Sequence, residues 1–248
     1  MSLELVTYAN KSQGMFEELV NNKFNKKVTV LGWGTKWNGF SDKYKAMSKH
    51  LETKNDDDII VFVDGFDTKI NKNPENIVEL FKSYECGVLV SKDPVPFGPF
   101  SRIIFGTCDK NNTANSGLYM GYVKYLKIMV NQANKMKCDD DQRNLNDLCN
   151  LHNFIKIDDD EKIFKNVPPT DKDKENNSVF VSYPGTLSVE RVKRSIIEYT
   201  QFIYIYVIIS IIGVLIFFPN LKTILVPFMI LYIIFYSLFA DRTCNESD

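Results

Sequence analysis

The chain has 248 residues, with 30 Lys and Arg against 31 Asp and Glu, for a formal charge of −1. That length allows one sizeable core plus an appendage, and the near-neutral balance excludes a nucleic-acid binder that works by bulk electrostatics. Cys86, Cys108, Cys138, Cys149 and Cys244 are scattered and include no Cys-x-x-Cys, so neither a zinc site nor a disulfide framework is signalled and reduced, partly buried thiols are expected.

The start, Met1 to Tyr8, is interrupted by Glu4 and has no basic region before an apolar run, unlike a signal peptide. Leu3 to Ala9 reads as a first strand ending at the turn Asn10-Lys11-Ser12, and Met15 to Val20 has helical spacing. Lys27 to Leu31 is a second strand closed by Gly32-Trp33-Gly34, which completes a βαβ opening and favours an α/β sheet. Those glycines allow a ligand close to the backbone or make an ordinary turn. Ser41 to Leu51 spaces Tyr44, Met47 and Leu51 as an amphipathic helix with a basic opposite face.

The most informative stretch is Ile59-Ile60-Val61-Phe62-Val63-Asp64-Gly65-Phe66-Asp67. An unbroken apolar run rich in Ile and Val reads as a buried central strand. Asp64 then falls at the strand's carboxyl end, where open α/β sheets bind their ligands. Gly65 permits a tight bend, so Asp64 and Asp67 can converge. Two carboxylates there suit Mg²⁺ or Mn²⁺ beside a diphosphate leaving group. An isolated Asp-x-x-Asp is more often a capped turn.

Pro74 to Phe81 reads as a helix with Pro in its first turn. Cys86 to Ser91 is another strand, followed by a Pro-rich loop carrying Phe97 and Phe100. Asn115-Ser116-Gly117 precedes a buried stretch and can approach a sugar closely or form a hairpin turn. Tyr122 to Met129 has helical spacing. Asp139-Asp140-Asp141-Gln142 opens a further helix, where acidic residues suit the helix dipole. The same carboxylates can serve as base or orient an acceptor. Ile155 to Asp158 is a short strand, Pro168 to Asn177 a polar loop, and Ser178 to Gly185 a last strand and turn.

From Phe202 to Phe218, and again from Ile224 to Ala240, 17 residues pass without a charge. At ~1.5 Å per residue each run spans roughly 25 Å as a helix, near the ~30 Å of a bilayer core. The short break at Pro219 to Thr223 makes a hairpin, full span or re-entrant. Arg191, Lys193 and Arg194 then put the large domain on the cytosolic side by the positive-inside rule. The expected organisation is a folded domain over residues 1–187, a basic linker at 188–200, a two-helix hairpin in the lipid bilayer at 201–240 and a polar tail at 241–248.

Five motifs occur in order: Leu31-Gly32-Trp33-Gly34 with Trp37 and Gly39; Val61 to Asp67; Asn115-Ser116-Gly117; Asp139 to Gln142; and Lys162 to Asn166. Together they resemble the glycosyltransferase domain of the procollagen lysyl hydroxylase/glycosyltransferase family, including versions from giant viruses, over roughly residues 3 to 187. The family's hydroxylase domain has no counterpart in these residues. The resemblance implies a GT-A-type, Rossmann-like mixed α/β sheet flanked by helices. It also implies an enzyme that moves a hexose from a UDP-sugar, UDP-glucose or UDP-galactose, with Mn²⁺, to a hydroxyl acceptor: hydroxylysine or galactosyl-hydroxylysine of a collagen-like protein, with a lipid or glycan hydroxyl as the alternative. By the same resemblance Asp64 and Asp67 hold the metal and Phe66 stacks on uracil. Leu31 and Gly32 form the nucleotide-side turn, Lys45 reaches the diphosphate, Asn115 and Gly117 lie against the sugar, and Asp140 and Asp141 stand near the reacting carbon. Ser182 occupies the place of the family's third metal ligand, a His. A hydroxyl is a poorer ligand than imidazole for a transition metal, and this departure keeps open a catalytically inactive binding or scaffold module.

Overall fold

A computed structural model describes residues 1–94, 102, 105–109, 112–136, 138, 140–167, 176–184 and 204–239. The Pro-rich loop with Phe97 and Phe100, most of the polar loop at 168–175, the expected domain end near Leu187, the basic linker and the tail lie outside these residues.

The central strand is β3 (Ile59–Asp64), and its burial explains its sequence. Ile60 and Phe62 belong to one apolar cluster, while Ile59, Val61 and Val63 belong to another. A strand alternates its side chains between two faces, so apolar residues at every position mean that both faces are covered. β1 (Leu3–Tyr8) runs parallel to β3 on one side, with β2 (Val28–Leu31) parallel beyond it. On the other side β6 (Ala114–Tyr122) runs antiparallel, followed by β5 (Val88–Lys92) and β7 (Ile155–Ile157). The order is β2-β1-β3-β6-β5-β7.

One face of this sheet is covered by α2 (Ser41–Leu51), α4 (Val123–Ala133) and α5 (Asp141–Leu151), which bury Tyr44, Met47, Leu126, Met129, Leu145 and Leu148. The other face meets α1 (Phe16–Val20), α3 (Ile77–Lys82) and a second sheet of β4 (Thr68–Ile70), β9 (Phe180–Ser182) and β8 (Phe164–Asn166). A six-stranded mixed sheet flanked by helices fits a GT-A-like fold.

Asn115 to Gly117 are not a turn. They lie within the nine-residue strand β6, beside the central strand. The small second sheet has no strong signal in the sequence, because three-residue strands such as β4 and β8 are too short to show a period. Asp158 stabilises the turn into β8. Its carboxylate is wholly buried and accepts hydrogen bonds from the backbone N–H groups of Lys162, Ile163 and Phe164, and from the Tyr84 hydroxyl.

The cysteines differ from expectation. Cys108 and Cys149 form a disulfide that ties the segment before β6 to the last turns of α5. Widely spaced cysteines carry no pairing information in sequence; the fold brings these two Cα atoms within 4.7 Å. Cys86 is free.

α6 (Tyr204–Phe217) and α7 (Lys222–Phe239) form the C-terminal pair. Among the described residues no single helix is long and apolar enough to cross a membrane; α6 and the following segment to Ile234 meet that requirement only together, bent by 118°. Their side chains are exposed and apolar on several faces, including Ile209, Phe217, Phe228 and Leu231.

The disulfide closes a 41-residue separation. The double change Cys108→Ser, Cys149→Ser should destabilise the oxidised protein by about 2–4 kcal/mol. Urea unfolding with and without reductant checks this: the reductant effect of the parent protein should shrink in the double variant.

Candidate functional site

Three chain segments meet where β3 ends. Asp64 is the last residue of β3, paired in register with Tyr8. Gly65 follows, packed so closely on β1 that a Cβ would stand 2.9 Å from the Thr7 hydroxyl and 3.0 Å from the Tyr8 carbonyl. Asp67 comes next, just ahead of β4, and β4 pairs with β9 so that Thr68 lies opposite Ser182. The Ser182 hydroxyl donates to Asp67 Oδ1 at 3.1 Å, and the Tyr183 N–H donates to the Asp67 carbonyl at 2.8 Å. The far wall is β6. Asn115 Oδ1 accepts from the Gly117 N–H at 2.9 Å, and a Cβ at Gly117 would stand 2.8 Å from Asp64 Oδ2. A side chain there would have to push the Asp64 carboxylate aside; with glycine that carboxylate lies directly on strand backbone.

α5 forms the roof. Asp140 caps its N-terminus, accepting from the Arg143 N–H at 2.9 Å. Asp141 is nearly buried and faces inward. Between Asp141 and Asp64 sits Lys43, whose Nζ is 3.0 Å from Asp141 Oδ2 and 2.9 Å from Asp64 Oδ1. Burial pulls the Lys43 pKa down, but Asp141 and Asp64 outweigh it and hold the ammonium well above the usual lysine range. Burial pushes Asp64 up to about 6; Lys43 opposes that rise, whereas Asp67 and Asp141 add to it. Lys43, Asp64, Asp67, Asn115, Gly117, Asp140, Asp141 and Ser182 all line one cleft.

Lys45, expected at the diphosphate, points elsewhere. Its side chain is 65% exposed and its ammonium lies 3.2 Å from Ser41 Oγ on the outer face of α2. Residues two apart on a helix face opposite ways, so Lys43 occupies the cleft instead. The sequence contains a signal for this. Lys43, Met47 and Leu51 recur every four residues, which places Lys43 at the head of the buried stripe.

The other candidates lie where the strand order puts them. The Leu31 carbonyl accepts from the Ala9 N–H at 3.0 Å. Gly32 follows with φ +74°, and a Cβ there would strike the Tyr8 ring at 2.4 Å. The Phe66 carbonyl accepts from the Met15 N–H at 2.9 Å, which fixes the bend that carries this half-buried aromatic. His50 bonds Glu4 and His152 bonds Gln132; neither lines the cleft.

Two supports escaped the sequence reading. Asn146 is wholly buried and clamps the first residue of β6, accepting from the Ala114 N–H at 2.8 Å and donating to its carbonyl at 3.0 Å. It fastens α5 over Asn115. Asp93 lies beside Asn115 and Gln142; burial raises it to about 6, although hydrogen bonds from those two amides pull the other way. An isolated Asn in a helix and an Asp after a strand have ordinary surface roles in sequence, so neither is conspicuous.

The described donors for a cation are the carboxylates of Asp64 and Asp67. Among the described residues no group of three or more His, Cys, Asp or Glu converges on a metal site. The donor chemistry is all oxygen, which fits a hard cation such as Mg²⁺ or Mn²⁺ when substrate oxygens complete the shell.

The profile described as PLOD GT domain matches residues 1–178. The chain belongs to this family of glycosyltransferase domains. Among relatives, procollagen-lysine,2-oxoglutarate 5-dioxygenase 2 of Mus musculus is 27% identical over 159 residues, covering 56% of this chain and 21% of that protein. Its Homo sapiens counterpart is 28% identical over 159 residues, with the same coverage. The chain thus spans about a fifth of those relatives, and the oxygenase activity in their name is said of them alone.

Lys43→Met should leave Asp64 and Asp141 unneutralised at a partly buried site and destabilise the protein by about 3–5 kcal/mol. Adding Asp141→Asn should recover part of that loss. A double-mutant cycle in urea reads the Lys43–Asp141 coupling; additive losses would show that this ion pair contributes nothing to the fold.

Proposed function

We propose that this chain is a membrane-attached glycosyltransferase that moves a hexose from a UDP-sugar to a hydroxyl acceptor. The observation that carries the reading is the convergence of Asp64 and Asp67 with Asn115, Gly117, Asp141 and Lys43 in one cleft at the carboxyl end of β3. The family supplies the reaction class. Phe66 would stack on the uracil, and the Leu31–Gly32 turn would receive the nucleoside side. Backbone at Gly117 lets a sugar approach Asp64, and the Asn115 amide, supported by Gln142, can orient its hydroxyls. Asp141, ion-paired with the Lys43 ammonium and facing into the cleft, is the carboxylate best placed to accept a proton from the attacking hydroxyl. Asp140 is occupied as the α5 cap and helps by fixing that helix start. A divalent cation held by Asp64 and Asp67 would supply charge stabilisation for the departing diphosphate. The acceptor that the family suggests is a hydroxylysine-type hydroxyl of a collagen-like protein; a lipid or glycan hydroxyl is the alternative that the C-terminal helices favour.

UDP release from UDP-glucose and UDP-galactose by the full-length protein in detergent, with Mg²⁺ or Mn²⁺, tests this. Asp64→Ala should lower turnover by about 10²–10³-fold while circular dichroism stays unchanged. Silence from folded parent protein with both donors would favour the second reading, an inactive GT-A-like binding module, which Ser182 in place of the family's His supports.

Lipid attachment is supported by the uncharged runs and by exposed apolar side chains on both α6 and α7. A bent pair suits insertion as a re-entrant hairpin. The charges at Arg191, Lys193 and Arg194 favour a cytosolic domain, whereas the Cys108–Cys149 bond favours an oxidising compartment. Protease added to sealed vesicles should digest residues 1–187 on the first placement. Protection, with the disulfide intact under non-reducing mass spectrometry, would reverse it.

A further inference from the structure

Ser182 stands beside the two carboxylates that would face a cation; its proton is committed to Asp67, and what it could still offer a cation is the lone pairs of a neutral hydroxyl, a weak donor beside a carboxylate or imidazole. It is nearly buried, fixed by β9, and donates its proton to Asp67 Oδ1 at 3.1 Å, where the Thr68 hydroxyl also bonds at 3.3 Å. Asp64 Oδ1 is likewise engaged by Lys43. Each carboxylate therefore has one oxygen bound within the protein. The described ligand set comes down to two partly engaged carboxylates and no nitrogen. Such a set holds a hard cation weakly by itself, because Mg²⁺ dehydrates reluctantly and is usually retained by one or two carboxylates together with substrate phosphates.

The same cleft rejects a bare diphosphate. Asp64, Asp67, Asp140 and Asp141 line it, against the single ammonium of Lys43 among the described residues. An anionic donor entering that field alone meets repulsion at short range, where screening is weak. The cation lacks ligands that the diphosphate has, and the diphosphate lacks charge that the cation has.

We propose that Ser182 is a positioning residue for Asp67 and not a metal ligand, and that this chain consequently takes its divalent cation and its nucleotide diphosphate only together, with Mg²⁺ serving about as well as Mn²⁺. The inference rests on the donor reading above and deepens it. Oxygen donors discriminate poorly between these two ions, whereas a ring nitrogen favours the transition metal. Mutual dependence follows from linkage: whatever factor UDP adds to cation affinity, the cation adds to UDP affinity.

The test uses full-length protein in detergent, with free Mn²⁺ followed by its electron paramagnetic resonance signal and UDP binding followed by titration calorimetry. UDP should tighten Mn²⁺, and Mn²⁺ should tighten UDP, by the same factor, within the range of about 5–150-fold typical of coupled sites. Mg²⁺ should support UDP binding within about threefold of Mn²⁺, as expected for oxygen donors. Ser182→His should raise Mn²⁺ affinity without UDP and widen the preference of Mn²⁺ over Mg²⁺. Ser182→Ala should weaken the joint binding of cation and UDP equally with Mg²⁺ and Mn²⁺ while the urea midpoint stays at the parent value, which separates lost positioning of Asp67 from a structural loss. Tight Mn²⁺ binding by the parent protein without UDP overturns the proposal while leaving the donor reading intact, as does UDP binding undiminished in EDTA. Absence of UDP binding with either cation overturns the donor reading, and the coupling with it.

Discussion

The Lys43 ammonium between Asp64 and Asp141 is the interaction on which the site depends. It joins three elements distant in sequence: the end of the central strand, the first turn of α2 and the start of α5. Two carboxylates pointing into one cleft at the edge of a core repel each other and lose hydration. An ammonium within hydrogen-bonding distance of both offsets that cost and fixes their separation. One buried lysine bridges two of the cleft's carboxylates.

Around this centre, backbone does much of the positioning. Gly117 brings strand β6 against Asp64 with no side chain between them. Asn146 bonds both backbone groups of Ala114 and so holds the α5 helix in register with β6. Farther along the same helix the Cys108–Cys149 bond ties its other end to the segment that enters β6. α5 is therefore fastened to β6 at two places, and Asp141 at its start inherits that rigidity. A carboxylate that must meet a substrate atom within a few tenths of an ångström gains from being mounted on an element that cannot shift.

In the proposed donor site Ser182 would stand where the resemblance implies a His, and that change would alter how the cation is held. A hydroxyl donates as readily as it accepts, and here it donates to Asp67. The residue that would add a metal ligand instead steadies an existing carboxylate. A site with fewer protein ligands leaves more of the cation's shell to the substrate, which links cation capture to donor capture.

The sequence by itself determined the central strand and the placement of its carboxylates. Ile59 to Val63 is apolar at every position, and only burial on both faces accounts for that; Asp64 then had to emerge at the ligand-binding end of the sheet. It also determined the boundaries of α2 and the apolar character of the C-terminal helices, because period and hydropathy are local properties. It did not determine which lysine enters the cleft. Lys43 and Lys45 are alike in composition and differ only in the side of α2 they occupy, and the packing of Met47 and Leu51 against the sheet sets that side. Nor could it reveal the second sheet, whose strands β4 and β8 are too short to carry a pattern, or the pairing of Cys108 with Cys149. The roles of Asp93, Asn146 and Ser182 were likewise decided only when the chain folded. Each depends on a partner 22 to 115 residues away, and a hydrogen bond at that separation exists only once the fold has brought its two ends together.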